Sequence, residues 1–156
     1  MVCLSPPPVL LVDGYNIIGS WDSLKKIRNR VGLEAARLDL MQRLIDYSAF
    51  QGYETQIVFD AQYQDCPGNS EIITQNLAIY YTDFGQTADT YIEKVCALYR
   101  HTSTLRQRVI VATSDRAQQL TVSGYGATWM SAQQLERDVK SVSNLVRQRQ
   151  IGRAHV

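Results

Sequence analysis

No apolar run in this 156-residue chain is long enough to cross a bilayer. The N-terminus, MVCLSPPP, lacks a basic segment, and three prolines precede the first apolar run. Neither a secretory signal nor a membrane span is therefore expected, and the expected location is cytoplasmic, with no membrane partner. Cysteine is sparse. Cys3, Cys66 and Cys96 are odd in number and widely spaced, matching neither a zinc pattern nor a disulfide framework, so reduced thiols are expected. An excess of charge is also missing. Lys and Arg total 16 against 15 Asp and Glu, for a net charge of +1, so any attraction to a polyanion must come from local patches. There is no GxxxxGK[ST] loop, and Gly124 and Gly126 follow a helix, which excludes a dinucleotide fingerprint. No nucleotide cofactor is expected.

What is present describes an ordinary globular domain, with 45% hydrophobic and 20% charged residues. Residues 1–8 are expected to be a loose leader, 9–149 the domain and 150–156 a tail. VLLVD (9–13), TQIVFD (55–60), LAIYYT (77–82) and RVIVATSD (108–115) are short apolar strands. ATWM (127–130) makes a last one. Helical spacing covers Leu33 to Phe50, closed by Gly52, and 87–100, where Ala88, Ile92, Val95, Cys96 and Tyr99 form one stripe. A short helix spans Arg116 to Val122. A final one begins at a capping box formed by Ser131 and Gln134 and runs to about Arg149. The segment around DCPGNS is a turn-rich loop. Uniformly apolar strands alternating with helices predict a three-layer α/β/α fold around a mostly parallel sheet.

Three of those strands end on an acid: Asp13, Asp60 and Asp115. In a parallel sheet the strand C-termini share one edge, and ligands bind along it. Asp89, in the first turn of the helix after TDFGQT, faces the same edge, and Glu93 lies one turn further along the same face. Converging carboxylates repel, and some must take up protons unless a cation relieves them. All-oxygen ligands suit Mg²⁺ or Mn²⁺ better than Zn²⁺. Each residue also has a plainer role open to it. Asp89 fits a first-turn acid favoured by the helix dipole, Glu93 a solvated helix face, Asp60 and Asp115 turn caps, and Asn16 an Asx turn. Only the coincidence of several acids at one edge points to a metal site.

LLVDGYNIIGSW, IVFDAQ, TADTYIEK and VATSD, in that order, resemble the NYN domain family, a branch of the PIN-like nucleases, and within it the YacP-like subfamily. The resemblance extends from about Val9 to the final helix. It implies a PIN-like α/β/α fold and a metal-dependent endoribonuclease that cleaves messenger RNA in association with the ribosome. Carried over by motif, the leading acids fall on Asp13 and Asp89, with Asp60 and Asp115 completing the pocket, Asn16 beside it and Glu93 in the YIEK pattern. The loop QYQDCPGNSEIITQ departs from the pattern, because it carries Asp65 and Glu71 and no Lys or Arg.

In the implied reaction, Asp13, Asp89, Asp115 and Glu93 are the candidate ligands of one or two divalent ions. Asn16, Thr87 and Ser114 are candidates to orient water or phosphate. His101 and His155 lie outside every motif, which counts against a metal-free histidine mechanism through the 2′-OH. RNA requires positive surface. Lys25, Lys26, Arg28 and Arg30, in the connection after the first strand, are the candidate patch, together with Arg116. Arg137, Lys140, Arg147, Arg149 and Arg153 make the end of the chain basic and able to meet ribosomal RNA. Tyr15 is a candidate for stacking on bases, and Trp21 for anchoring the core or a loop. A haloacid-dehalogenase phosphatase would need a second aspartate where Tyr15 stands, and TADTYIEK fits a receiver domain poorly. The rival from another class is a non-catalytic RNA- or ribosome-binding module that retains the acidic pocket.

Overall fold

The computed structural model describes residues 6–61, 68–102 and 107–154. The chain runs β1 (Val9–Asp13), α1 (Gly14–Ser20), α2 (Asp22–Arg30), α3 (Leu33–Gln51), β2 (Glu54–Phe59), β3 (Ser70–Thr74), β4 (Leu77–Tyr81), α4 (Ala88–Thr102), β5 (Val109–Ala112), α5 (Arg116–Gly124), β6 (Thr128–Met130) and α6 (Ala132–Ala154). One six-stranded sheet has the order β3-β4-β2-β1-β5-β6, parallel throughout except for the β3–β4 pair. Cys3, Cys66, Asp65 and His155 lie outside the described residues.

Alternation along the strands builds two cores. Leu10, Val12, Ile57, Phe59, Ile110 and Ala112 join the larger one, with Trp21 from the junction of α1 and α2 and Leu40, Leu44, Leu135 and Val139 from the helices. Val9, Leu11, Val58 and Val111 face the other side, where Ala88, Ile92 and Cys96 of α4 and Val122 of α5 cover them. Hence α1, α2, α3 and α6 form one outer layer and α4 and α5 the other. Gly52 ends α3 in the left-handed conformation (φ 70°), as its place at the close of the apolar stripe predicts. The Ser131 hydroxyl caps α6, accepting from Gln134 N–H at 3.1 Å.

Three segments differ from the sequence expectation. KKIRNR belongs to the helix α2 rather than to a loop, because Leu24 and Ile27 on one side pack into the larger core. SEIIT is the antiparallel edge strand β3 rather than part of a loop; its outer residues are exposed, so it carries no apolar alternation. The last helix continues past Arg149 to Ala154, and His101 lies within the last turn of α4 rather than after it. At the other end Pro7 and Pro8 are tied in: Gln107 Nε2 donates to Pro7 O at 2.7 Å and Glu54 N–H to Pro8 O at 2.9 Å. No helix among the described residues is long and apolar enough to cross a membrane.

Candidate active site

The sheet order creates the site. β1 leaves the sheet through α1–α3 on one face, whereas its neighbour β5 leaves through α5 on the other. Connections that diverge in this way open a crevice at the C-terminal ends of the two strands, where α/β proteins bind ligands. Asp13 is the last residue of β1, 7% exposed. Alternation puts it on the side of Val9 and Leu11, toward α4. The chain turns into α1 immediately, and Gly14 permits it: a Cβ there would collide with the Phe59 ring. Asn16 straps the crevice, its Oδ1 accepting from Ser114 N–H at 2.8 Å across 98 residues of sequence.

Across the crevice stands Asp89, in the first turn of α4, and its carboxyl group hydrogen-bonds that of Asp13. Two carboxylates share a hydrogen bond only if one of them keeps a proton. Burial pushes the Asp13 carboxyl up to about 8, aided by the Asp89 charge and hydrogen bond and by the charge of Asp115, while an N–H from Asn16 opposes the shift. Asp89 is also raised, chiefly by burial, with the charges of Asp115 and Asp60 adding to it. Among the described residues no Lys or Arg pairs with either acid. The pair therefore combines excess negative potential with a labile proton.

Asp115 joins this field from a position fixed by another duty. Its Oδ1 caps α5, accepting from Ala117 N–H at 2.9 Å and Gln118 N–H at 3.3 Å. Asp60 directly follows β2, and its charge acts on Asp89. Glu93 lies half-buried one turn along α4; its charge is felt by Cys96, whose thiol burial raises to about 11. Thr87 Oγ1 accepts from Thr90 N–H at 3.1 Å at the start of α4, and Ser114 Oγ accepts from Ala132 N–H at 3.3 Å. Among the described residues no three His, Cys, Asp or Glu side chains come close enough to enclose an ion by themselves.

The candidate cations lie elsewhere. Lys25, Lys26, Arg28 and Arg30 sit on α2, in the layer opposite α4; Lys26 and Arg30 are exposed. Arg116 is exposed at the first position of α5. Arg137, Lys140 and Arg147 are exposed on α6, and Arg149 lies 5.1 Å over the Phe50 ring. Trp21 is fully buried, its Nε1–H donating to Ala132 O at 2.7 Å, so it anchors the core. Tyr15 is half-buried, 4.9 Å from the Phe59 ring, with its hydroxyl accepting from Arg37 at 3.1 Å.

Arg37 and the buried Thr82 escape a reading of the sequence. Thr82 Oγ1 accepts from Ala61 N–H at 2.9 Å and donates to Gln86 O at 2.8 Å. It thereby ties the backbone beside Asp60 to the loop that delivers Asp89. No local pattern marks a threonine for that task, since Ala61, 21 residues earlier, meets it only once β2 and β4 have paired.

Residues 10–155 match the family model of the YacP-like NYN domain. The uncharacterized protein YacP of Bacillus subtilis (strain 168) is 33% identical over 141 residues, which cover 90% of this chain and 80% of that protein. Crystal structures of Rae1 (YacP) from Bacillus subtilis superpose with a TM-score of 0.74 at 33% identity and, for the W164L mutant, 0.74 at 32%. The alignments cover 90% of this chain and 78% and 79% of those chains. The chain is thus a member of the YacP-like NYN domain family, whose proteins are nuclease-like.

Proposed function

We propose that this protein is a divalent-metal-dependent endoribonuclease acting on single-stranded RNA, and specifically on messenger RNA at the ribosome. The observation that carries the reading is the hydrogen-bonded Asp13–Asp89 pair, unrelieved by any basic side chain among the described residues, at the strand-end crevice. The pair suits Mg²⁺ or Mn²⁺. Its donors are all oxygen, and Mg²⁺ is commonly held by one or two carboxylates with water completing its shell, so no third acid need stand in contact. Asp13 and Asp89 would hold the ion, with Asp115, Asp60 and Glu93 adding negative field or water-mediated contacts. When bound, such an ion supplies an activated water and stabilises the leaving oxygen. Asp13 and Asp89 would release the proton they share on holding such an ion. The Asn16 N–H holds the Asp13 carboxylate in place. Arg116 and the α2 cations, Lys25, Lys26, Arg28 and Arg30, are the proposed contacts to RNA phosphates.

The test is cleavage of a 5′-labelled single-stranded RNA with Mg²⁺, with Mn²⁺ and with EDTA. Products carrying 5′-phosphates are expected, made only with metal. Asp13→Asn and Asp89→Asn should each lower the rate by more than about 100-fold, since even outer partners of a bound metal cost 10–100-fold. Undiminished cutting by both variants would remove the site assignment. The second reading, a binding module without turnover, is favoured by the lack of any three-acid cluster among the described residues. It predicts RNA or ribosome binding with no cutting, even when ribosomes translating a message are supplied.

A further inference from the structure

Arg37 is half-buried on α3, and among the described residues no carboxylate pairs with it. Two phenols hold it instead. The Tyr15 hydroxyl accepts from its Nη1 at 3.1 Å, and the Tyr81 hydroxyl accepts from it as well. A guanidinium taken partly out of water is normally matched by a carboxylate. Two stand close by. Glu34 lies one turn before it on α3, and Glu71, on β3, is near enough for its charge to act on Tyr81. Both residues are exposed, and neither pairs with the cation.

Between α3 and the β3–β4 end of the sheet these groups surround a groove of about 340 Å³, large enough for a small ligand. Leu38 and Met41 of α3 and Ile73 and Ile79 beside them give it apolar walls. Its Arg37 end lies at the strand-end edge that also carries the acid pair. Tyr15 follows Asp13 by two residues, and Phe59, 4.9 Å from the Tyr15 ring and 5.8 Å from the Tyr81 ring, ends β2 as Tyr81 ends β4. β4 is two strands from β1, about 10 Å. An occupant must satisfy a cation on the helix wall and a carboxylate on the strand wall. A phosphate does not, because Glu34 and Glu71 outnumber Arg37 and repel it. A neutral ring with acceptors on one edge and donors on another does. Guanine is the RNA base built that way, with N7 and O6 as acceptors and N1–H and N2–H₂ as donors. Adenine sets its N6–H₂ donor beside N7, which would turn a donor toward the guanidinium.

We propose that this groove is a guanine pocket for single-stranded RNA: Arg37 donates to N7 and O6 of the base, Glu71 accepts from N1–H and N2–H₂ across the groove, and the ring lies against the apolar walls. Tyr15 and Tyr81 are positioning residues that hold the guanidinium in place. This rests on the nuclease reading above and gives that site a preference for RNA with guanosine near the bond to be cut. It also accounts for an acid, Glu71, in a segment that a phosphate-gripping surface would fill with Lys or Arg.

Fluorescence anisotropy of the full chain tests it, in EDTA to withhold the metal, with two labelled RNAs of equal length and charge: decaadenylate and a decamer alternating adenosine with guanosine. The wild type should bind the guanosine-containing RNA about 10-fold more tightly. Arg37→Gln should bind the two alike. If it weakens both equally and keeps the preference, Arg37 is a phosphate contact and the proposal falls. Where Arg37→Gln melts well below the wild type, Glu71→Lys decides, because that exposed position tolerates the change without harm to the fold. It should lose the preference while binding decaadenylate as tightly as the wild type or more so, and a preserved preference overturns the proposal. The metal-dependent cleavage assay separates this inference from the reading beneath it. Equal binding of both RNAs, or of neither, by a wild type that cuts RNA removes the pocket and leaves the nuclease. A wild type that neither binds nor cuts RNA removes both.

Discussion

The two faces of the sheet are built to different standards. One, beneath α1, α2, α3 and α6, buries Trp21, Tyr47, Phe59 and a set of leucines and isoleucines. The other, beneath α4 and α5, buries smaller side chains, Ala88, Cys96, Val111 and Val122 among them. It also admits the polar groups of Asp13 and of Gln118, whose amide finds no partner among the described residues. A carboxyl group and an unpaired amide cost stability wherever they are buried. Placing them on the lighter face lets the heavier one hold the fold while the crevice keeps an unrelieved charge. The contrast teaches that the Asp13–Asp89 pair is tolerated by the fold rather than contributing to it.

The most severe way to break this contrast is on the heavy face. Trp21→Ala should destabilise the protein by about 3–5 kcal/mol, the usual loss for a fully buried large aromatic, and it also strips the Ala132 carbonyl of its donor. Urea denaturation measures it. Mn²⁺ affinity per folded molecule should stay as in the wild type. A loss under about 1 kcal/mol would mean that α1 and α6 are not the anchor described.

The light face should show itself through pH. The Asp13 carboxyl keeps its proton up to about pH 8 in the folded chain, whereas an unfolded aspartate releases it near 3.8. The folded state therefore binds more protons between those values. Stability of the metal-free protein should be whole at pH 4 and fall as pH rises toward 8, by up to about 1.4 kcal/mol per pH unit. Urea midpoints in EDTA at pH 5, 6, 7 and 8 give the slope, and Asp13→Asn should flatten it. Equal slopes in the two proteins would show that the pair is not proton-sharing.

How much of this was legible in the residues varies by element, for physical reasons. β1 and β5 are buried along their whole length and read as continuous apolar runs, and β2 ends in one (Ile57, Val58, Phe59), so the acids that follow them mark the strand-end edge without knowledge of strand order. That order, and with it the crevice between β1 and β5, depends on pairings between distant segments and left no local trace. α2 carries Leu24 and Ile27 amid five charged residues, so its one apolar side was outweighed by its composition. β3 is an exposed edge whose shape is imposed by β4. The Asn16–Ser114 strap acquires meaning only when segments far apart in sequence pack together. The family resemblance, by contrast, was plain in VDGYNIIG and TADTYIEK, and the match over residues 10–155 agrees with it.

The finest discrimination concerns Asp115, which belongs to both descriptions at once. As a cap it bonds two backbone N–H groups of α5; as a charge it raises both Asp13 and Asp89. Asp115→Ala removes both roles and should cost about 0.5–2 kcal/mol through the lost cap, partly offset by relief of the acid pair. Asp115→Ser keeps a capping oxygen and removes only the charge. It should match the wild type within about 0.5 kcal/mol at pH 5, because serine caps about as well as aspartate. Its stability should then fall with pH less steeply than that of the wild type, because without that charge the pair releases its proton at lower pH. Denaturation at pH 5 and pH 8 separates the two roles. If Asp115→Ser is as unstable as Asp115→Ala at pH 5, the carboxylate does more for α5 than cap it. If its pH slope equals the wild-type slope, Asp115 is a cap alone and the charged crevice reduces to Asp13, Asp89 and Asp60.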